Sequence, residues 1–144
     1  MVDDKLATAV GRVVIQAAWV DEALSDLAFE FQRGSGVDRS GVTGASGKQL
    51  VDQLRGAGAA AWADEYNALN AKRNSVVHGR WLEAIRPGHM LSVKTRRKTP
   101  GIEPPDATTW GPGELEGFHA DLQDFYRRIV KELFDKLGIP ERFR

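Results

Sequence analysis

Apolar residues recur every three or four positions in two long stretches of the chain, a spacing typical of helices with one buried face. The first stretch can begin at Asp3 or Asp4, whose side chains suit a helix start, and Gly34 ends it. The second covers residues 113–137 and is ended by Gly138. We therefore expect two long amphipathic helices. Their apolar positions are Leu6, Val10, Val13, Val14, Ala17, Val20, Leu24, Leu27, Ala28 and Phe31, then Leu115, Phe118, Leu122, Phe125, Ile129, Leu133 and Leu137.

Two shorter helices are expected between the long ones, separated by glycine-rich breaks. Residues 34–45 are rich in Gly, Ser, Thr and Asp, which predicts a loop. Ser46 can then cap a short helix over residues 49–55. A third helix is predicted over residues 59–77, and Gly79 stands where a left-handed C-terminal cap belongs.

The pattern changes before the last helix. Residues 80–86 and 90–96 alternate in part between apolar and polar positions around Pro87-Gly88, which indicates a small hairpin or an irregular arm. Residues 99–112 contain four of the six prolines and cannot form a regular helix. Because there is no internal repeat and no domain linker, residues 1–144 are expected to form a single, mainly α domain. Its predicted architecture is a four-to-five-helix bundle with a small β-hairpin or irregular insertion before the last helix.

The composition excludes several classes of protein. There is no run of eighteen apolar residues to span a membrane, and the acidic start lacks the basic region of a secretory signal. The absence of cysteine excludes disulfides and thiolate metal sites. The three histidines fall in separate predicted elements, so we expect no metal site and no cofactor. We expect a cytoplasmic protein without membrane contact.

Charge is distributed unevenly along the chain although the net charge is zero. Residues 72–98, below called the basic segment, contain eight Lys and Arg residues and one Glu, whereas the segments on both sides are acidic. The basic segment is either a solvated surface or a phosphate-binding surface. In the second case, the candidates for contacts with phosphate groups are Lys72, Arg80, Arg96 and Arg97.

The segment Arg73-Asn74-Ser75-Val76-Val77-His78-Gly79 places three side chains suited to phosphate chemistry near the expected end of a helix. It resembles the signature of the HEPN superfamily (higher eukaryotes and prokaryotes nucleotide-binding), an arginine followed after four to six residues by a histidine. Arg73 matches the arginine, Asn74 the polar residue that often follows it, and His78 the histidine. The resemblance implies a helical bundle, metal-independent ribonuclease activity and a homodimer whose two motifs face each other.

Metal-independent RNA cleavage needs few residues, because the 2′-hydroxyl of RNA supplies the nucleophile. Histidine has a pKa suited to a general base, which assigns removal of the hydroxyl proton to His78. The fork of an arginine suits a phosphate, so Arg73 is expected to stabilise the charge on the phosphorane oxygens. Asn74 would orient the phosphate or His78. The expected product is a 2′,3′-cyclic phosphate, and DNA is expected to resist cleavage.

A structural role for the motif is the alternative. Arg73 and Asn74 can bond instead to the last carbonyls of their helix, or to acidic residues of the first helix such as Asp21 or Glu22. The chain would then be a non-catalytic interaction or nucleotide-binding module, for example a toxin–antitoxin partner or a partner of a nucleotidyltransferase. Catalysis requires His78 to be exposed in a groove beside Arg73, whereas a module predicts a buried or isolated His78.

The positions of the large apolar residues indicate which of them form an interface and which pack in the core. Trp19 and Phe29 lie off the main stripe of the first helix, and exposed groups of this size often mark interfaces, so we expect a homodimer. Four other aromatic residues are expected to pack in the core or in an interface rather than to stack on RNA bases: Trp62, Trp81, Phe118 and Phe125.

Overall fold

The computed structural model describes residues 4–33, 44–83, 89–94 and 106–144. These residues form four α-helices, three strands and a terminal 3₁₀ turn. The helices are α1 (Asp4–Gln32), α2 (Gly47–Gly56), α3 (Ala60–His78) and α4 (Glu114–Leu137), and the 3₁₀ turn is Glu141–Phe143. The strands are β1 (Arg80–Glu83), β2 (Met90–Lys94) and β3 (Asp106–Trp110). The mainly α fold with a small antiparallel sheet before the last helix is confirmed.

The helices α1 and α4 lie side by side and run in the same direction. The rings of Trp19 and Tyr126 have centroids 6.0 Å apart, and farther along both helices Lys136 Nζ lies 4.1 Å from the ring centroid of Phe31. The apolar stripes of the helices form the core, and burial of such stripes is the main stabilising term of a helical bundle. The fully buried side chains include Val13, Val20, Leu24, Leu27, Leu50, Leu54, Val76, Leu122, Phe125 and Ile129.

Aromatic side chains contribute to packing, as the sequence predicts. Phe118 and Phe125 are buried, and the ring of Trp62 lies against that of Phe125 with a centroid distance of 5.7 Å. Trp81 extends this cluster onto the sheet, where its ring centroid is 6.2 Å from that of Trp110. The prediction that these rings serve packing is therefore confirmed.

The outer side of α1 is covered along only part of its length. Trp19 is 52% exposed, as its position off the apolar stripe predicts. The same prediction for Phe29 was wrong, because Phe29 is half-buried and packs against the core. Ser25, one turn earlier, is also buried. The middle of α1 thus presents apolar side chains to solvent, whereas none of its last ten residues is exposed.

The sheet contains one strand more than the predicted hairpin. The central strand β2 pairs antiparallel with both neighbours, and Met90 lies opposite Trp110. Residues 99–112 were expected only to avoid a helix, but β3 forms within them. It begins after the prolines at 104–105 and ends before Pro112, so no proline removes a hydrogen-bond donor from this strand. The predicted turn around Pro87-Gly88 lies outside the described residues.

Gly79 does not adopt the left-handed cap conformation that the sequence predicts. Its φ of −79° and ψ of 148° are those of extended backbone. A Cβ at this position would overlap Ser92 Oγ and the carbonyl oxygen of Ser75. Ser92 Oγ donates a hydrogen bond to that carbonyl oxygen, and Trp81 Nε1 donates to the carbonyl oxygen of Val76 at 3.2 Å. Glycine is therefore required here because the sheet closes directly against the last turn of α3.

Candidate functional site

Arg73 lies on the side of α3 that faces α1. Its Nη1 donates a hydrogen bond to Asp21 Oδ2 at 2.7 Å, and the side chains of Arg73 and Asp21 are only 21% and 17% exposed. Charge-assisted hydrogen bonds of this length are among the stronger polar contacts in proteins. The structure thus contains the pairing of the motif arginine with Asp21 that the sequence offers as an alternative. The other acidic candidate, Glu22, is exposed to solvent.

The Asp21 carboxylate accepts a hydrogen bond at each of its two oxygens. Tyr66 Oη donates to Asp21 Oδ1 at 2.6 Å, and the Gly47 N–H donates to the Tyr66 oxygen at 2.9 Å. Ser46 occupies the N-cap of α2, but its side chain makes no capping bond. The phenol oxygen therefore accepts from one of the free N–H groups at this helix start. We call the chain of bonds through Gly47, Tyr66, Asp21 and Arg73 the buried network.

Burial and the neighbouring carboxylate keep Tyr66 protonated. Burial raises the pKa of Tyr66 well above its ordinary range, and the hydrogen bond to Asp21 and the charge of Asp21 raise it further. The Gly47 N–H and the charge of Arg73 lower this pKa, but by less. Tyr66 is therefore a neutral hydrogen-bond donor at physiological pH, and the buried network joins α1, α2 and α3 through ordered polar contacts.

A small cavity adjoins the buried network. It measures about 10 Å³, and its lining includes Asp21, Tyr66, Asn70 and Arg73. The side-chain oxygen of Asn70 is buried and accepts no hydrogen bond from a described residue. A cavity of this size has room for about one water molecule and none for a nucleotide. In the described part of the chain this cavity gives an RNA phosphate no route to Arg73, whereas the exposed fifth of the Arg73 side chain does face solvent.

His78 and Arg73 occupy different sides of α3. His78 lies in the last turn and is exposed, and Asn74, one turn earlier, is half-buried. Five residues correspond to about 140° around an ideal helix, and Arg73 accordingly faces α1 while His78 meets solvent. Lys72 is exposed, with Nζ 5.8 Å from the ring centroid of Phe118. The second half of α3 therefore carries an accessible imidazole, an exposed ammonium and a fixed guanidinium, but not within one pocket.

The other predicted phosphate contacts are described only in part. Arg80 is the first residue of β1, but its side chain is not among the described parts of the structure. Arg96 and Arg97 lie outside the described residues. Within residues 4–33, 44–83, 89–94 and 106–144, no group of three or more His, Asp or Glu residues could hold a metal ion. Among these same residues, no helix is both long enough and apolar enough to cross a membrane.

Tyr66 is the residue of the buried network that sequence reasoning missed. A signal was present in the spacing. Tyr66 precedes Arg73 by seven residues, or about two helical turns, so the two side chains share a face. Asp21 directly follows the buried residue Val20 on α1, so its carboxylate lies near the core. An unpaired charge in such a place would cost free energy. An acid, a phenol and a guanidinium on facing helices together indicate a buried polar network.

Comparisons with known proteins do not assign the chain to a family. The chain matches no protein-family model, no characterised protein and no solved structure. The resemblance to the HEPN superfamily therefore rests on Arg73, Asn74 and His78 and on the helical fold that carries them.

Proposed function

We propose that this chain cleaves RNA without a metal ion and that His78 is the general base. The observation that carries the proposal is the exposed imidazole of His78 in the last turn of α3, five residues after an arginine held in place by Asp21. Solvent reaches this imidazole, so an RNA strand can reach it as well, and histidine is the side chain that most often transfers protons in catalysis. The HEPN resemblance implies the same two side chains.

RNA supplies the nucleophile for this reaction. His78 accepts the proton of a 2′-hydroxyl, and O2′ attacks the adjacent phosphorus. The P–O5′ bond then breaks, and the leaving oxygen takes a proton from the imidazolium or from water. The products are a 2′,3′-cyclic phosphate end and a 5′-hydroxyl end. General-base catalysis of this kind contributes about 10²–10⁴ to a rate.

Arg73 would contribute oriented N–H donors rather than a net positive charge. The Asp21 carboxylate neutralises the guanidinium and accepts a hydrogen bond from Nη1. A guanidinium carries five N–H donors, so others remain for a phosphate oxygen that approaches from solvent. The positive charge that attracts RNA would come from Lys72 and the rest of the basic segment. Asn74 would orient the phosphate or His78.

The proposed active form is a cytoplasmic homodimer. Because Arg73 and His78 lie about 140° apart around α3, a second copy of the chain can complete a site that one copy leaves divided. The resemblance to HEPN ribonucleases implies the same arrangement. Light scattering at protein concentrations well above the micromolar range is expected to give about twice the chain mass of 15.9 kDa.

A non-catalytic interaction module is the second candidate, and the pairing of Arg73 with Asp21 favours it. A partly buried ion pair can serve the bundle alone, without a substrate. Ile15 and Trp19 leave apolar surface exposed on α1, which suits a protein partner. Such a module could be an antitoxin or the partner of a nucleotidyltransferase, and its His78 would be dispensable.

The experiment that separates the two candidates is RNA cleavage in the presence of EDTA. Purified wild type, His78→Ala and the control Asn67→Ala are incubated with end-labelled RNA. Asn67 is exposed on the same side of α3, three turns before His78, so the control variant tests for general damage to this surface. We expect His78→Ala to lose about 10²–10⁴ in rate, and Asn67→Ala to cleave like wild type.

Two outcomes would remove the ribonuclease proposal. One is that pure wild type cleaves no RNA either with or without EDTA, and the other is that His78→Ala cleaves as fast as wild type. Loss of cleavage in EDTA would instead identify a metal-dependent reaction. In the first two cases the interaction module becomes the leading function.

A further inference from the structure

The middle of α1 exposes a stripe of apolar residues. Ile15 and Trp19 are 56% and 52% exposed and lie one helical turn apart. Gly11 is half-buried and Ala18 and Glu22 are exposed, and their spacing of three to four residues places them beside Ile15 on the same face. We call Gly11, Ile15, Ala18, Trp19 and Glu22 the outer face of α1.

Contacts with the described part of the chain do not cover this face. Trp19, at one edge of this face, packs its ring against Tyr126 of α4, yet about half of Trp19 remains exposed to solvent. The opposite face of α1 is the one that enters the core, through Val13, Val20 and Leu24. Large apolar groups that stay exposed together in this way commonly mark a protein interface.

Opposite charges flank the apolar stripe. Arg12 and Glu22 are both exposed, stand ten residues apart, and form no ion pair with a described residue. If a second α1 runs antiparallel, with a twofold axis at the level of residue 17, Arg12 lies opposite Glu22 of the second copy. In the same register Ile15 lies opposite Trp19 of the second copy. A parallel pair would place each charge opposite itself.

We propose that the outer face of α1 packs antiparallel against the outer face of α1 in a second copy of this chain. The interface is isologous, since each copy contributes the same residues and each contact, including the charge pair, forms twice. The small residues Gly11 and Ala18 let the two helices approach to about 8–10 Å between axes. The proposal specifies the contact surface of the homodimer in the proposed function and rests on that dimer, but it does not require RNA cleavage.

The expected dimer is reversible. A standard stable interface buries about 800 Å² on each partner. Residues 12–22 span only about 15 Å of one helix, so the area that they can bury is smaller than that. Tyr126 widens the contact where it lies beside Trp19. We therefore expect monomer and dimer to exchange at micromolar protein concentration.

Charge reversal tests both the surface and its register. In Arg12→Glu and in Glu22→Arg, each antiparallel pair brings like charges together, and we expect association to weaken by about tenfold in each. In an equimolar mixture of the two variants, both charge pairs again join a glutamate of one variant to an arginine of the other, so the mixture should form a heterodimer with wild-type affinity. The double variant should do the same as a homodimer. Lys48→Glu reverses an exposed charge on α2 and serves as the control.

Sedimentation velocity across a range of protein concentrations gives the readout, with circular dichroism to show that each variant is folded. Glu22→Arg is the cleaner single variant, because Arg12 borders a groove that also contains Glu116. Wild type that stays monomeric, or a dimer that ignores both single reversals, would overturn the proposal. So would a mixture that fails to form a heterodimer.

Cleavage of RNA is measured on the same samples so that the two proposals fail separately. A wild type that cleaves RNA but ignores the charge reversals refutes this interface and leaves the ribonuclease in place. A wild type whose dimer follows the reversals but that cleaves nothing refutes the ribonuclease and leaves the interface in place.

Discussion

Asp21→Asn is the change that probes the buried network most directly. Asparagine keeps the size of the side chain but removes its charge, and one of its terminal atoms becomes an N–H donor. Tyr66 can still donate to the remaining side-chain oxygen. Arg73, which is only 21% exposed, would then face another donor instead of the carboxylate. The variant therefore leaves a largely buried guanidinium without its counter-charge.

The size of the effect follows from the burial of the pair. Removal of one partner of a fully buried ion pair costs about 3–5 kcal/mol. Arg73 keeps about a fifth of its surface in water, so solvent relieves part of this penalty, and we expect a loss of about 2–3 kcal/mol in the free energy of unfolding. For a chain of this length, such a loss lowers Tm by about 6–10 °C.

Urea unfolding followed by circular dichroism measures this loss. Asp52→Asn is the matched control, because Asp52 is exposed on α2 and its replacement should change stability by no more than about 0.5 kcal/mol. Adding Arg73→Gln to Asp21→Asn should cost less than the sum of the two single variants, since the two side chains share one interaction. If Asp21→Asn unfolds like Asp52→Asn, the pair does not stabilise the fold and the reasoning fails.

Three other expectations concern the phenol, the sheet and the basic segment. Folding raises the pKa of Tyr66, so the unfolded chain releases the phenol proton at a lower pH than the folded chain does. Above about pH 10 the free energy of unfolding should therefore fall more steeply in wild type than in Tyr66→Phe, by up to about 1.4 kcal/mol per pH unit. Urea unfolding at several pH values measures this difference. Gly79→Ala should lower the free energy of urea unfolding by about 1–3 kcal/mol through overpacking, whereas Gly117→Ala, whose Cβ meets nothing within 4 Å, should raise it by up to about 1 kcal/mol. If the basic segment binds RNA, the double variant Arg96→Ala/Arg97→Ala should flatten the slope of log affinity against log salt by about 1.4, and an unchanged slope would identify a solvated surface.

The helices could be predicted from the sequence because each carries its own apolar period. The stripe that runs through Leu24 and Leu27 defines α1, and the stripe that runs through Phe118 and Phe125 defines α4, without reference to the rest of the fold. The left-handed Gly138, with φ of 69°, ends α4 as expected. The pairing of the motif arginine with Asp21 could be named as an alternative because both residues lie on predicted helices.

Features that depend on contacts between distant segments could not be predicted. The strand β3 exists because β2 offers it a partner, and its five residues carry too short a pattern to stand alone. The need for glycine at position 79 arises from Ser92, which belongs to the next strand but one along the chain. The role of Tyr66 depends on the N-terminus of α2, to which its hydroxyl bonds. In each case tertiary contact overrides the local signal.

The site itself was only partly accessible to sequence reasoning. Spacing alone shows that Arg73 and His78 diverge around α3, and the structure agrees with that geometry. Spacing does not tell whether the arginine faces a protein carboxylate or solvent, because that depends on which helix packs beside it. Asp21 decides this point, and it makes the arginine a fixed and neutralised group rather than a free cation.

The most direct test of the central claim is a kinetic comparison of wild type, His78→Ala, Arg73→Ala and the double variant on one RNA under single-turnover conditions. If both side chains act on one transition state, His78→Ala should lose about 10²–10⁴ in rate and Arg73→Ala about 10²–10³. The double variant should be little slower than the slower single variant. Wild-type product should end in a 2′,3′-cyclic phosphate, and the all-DNA counterpart should stay intact. A His78→Ala variant as fast as wild type, or a double variant whose loss is the product of the two single losses, would contradict the account.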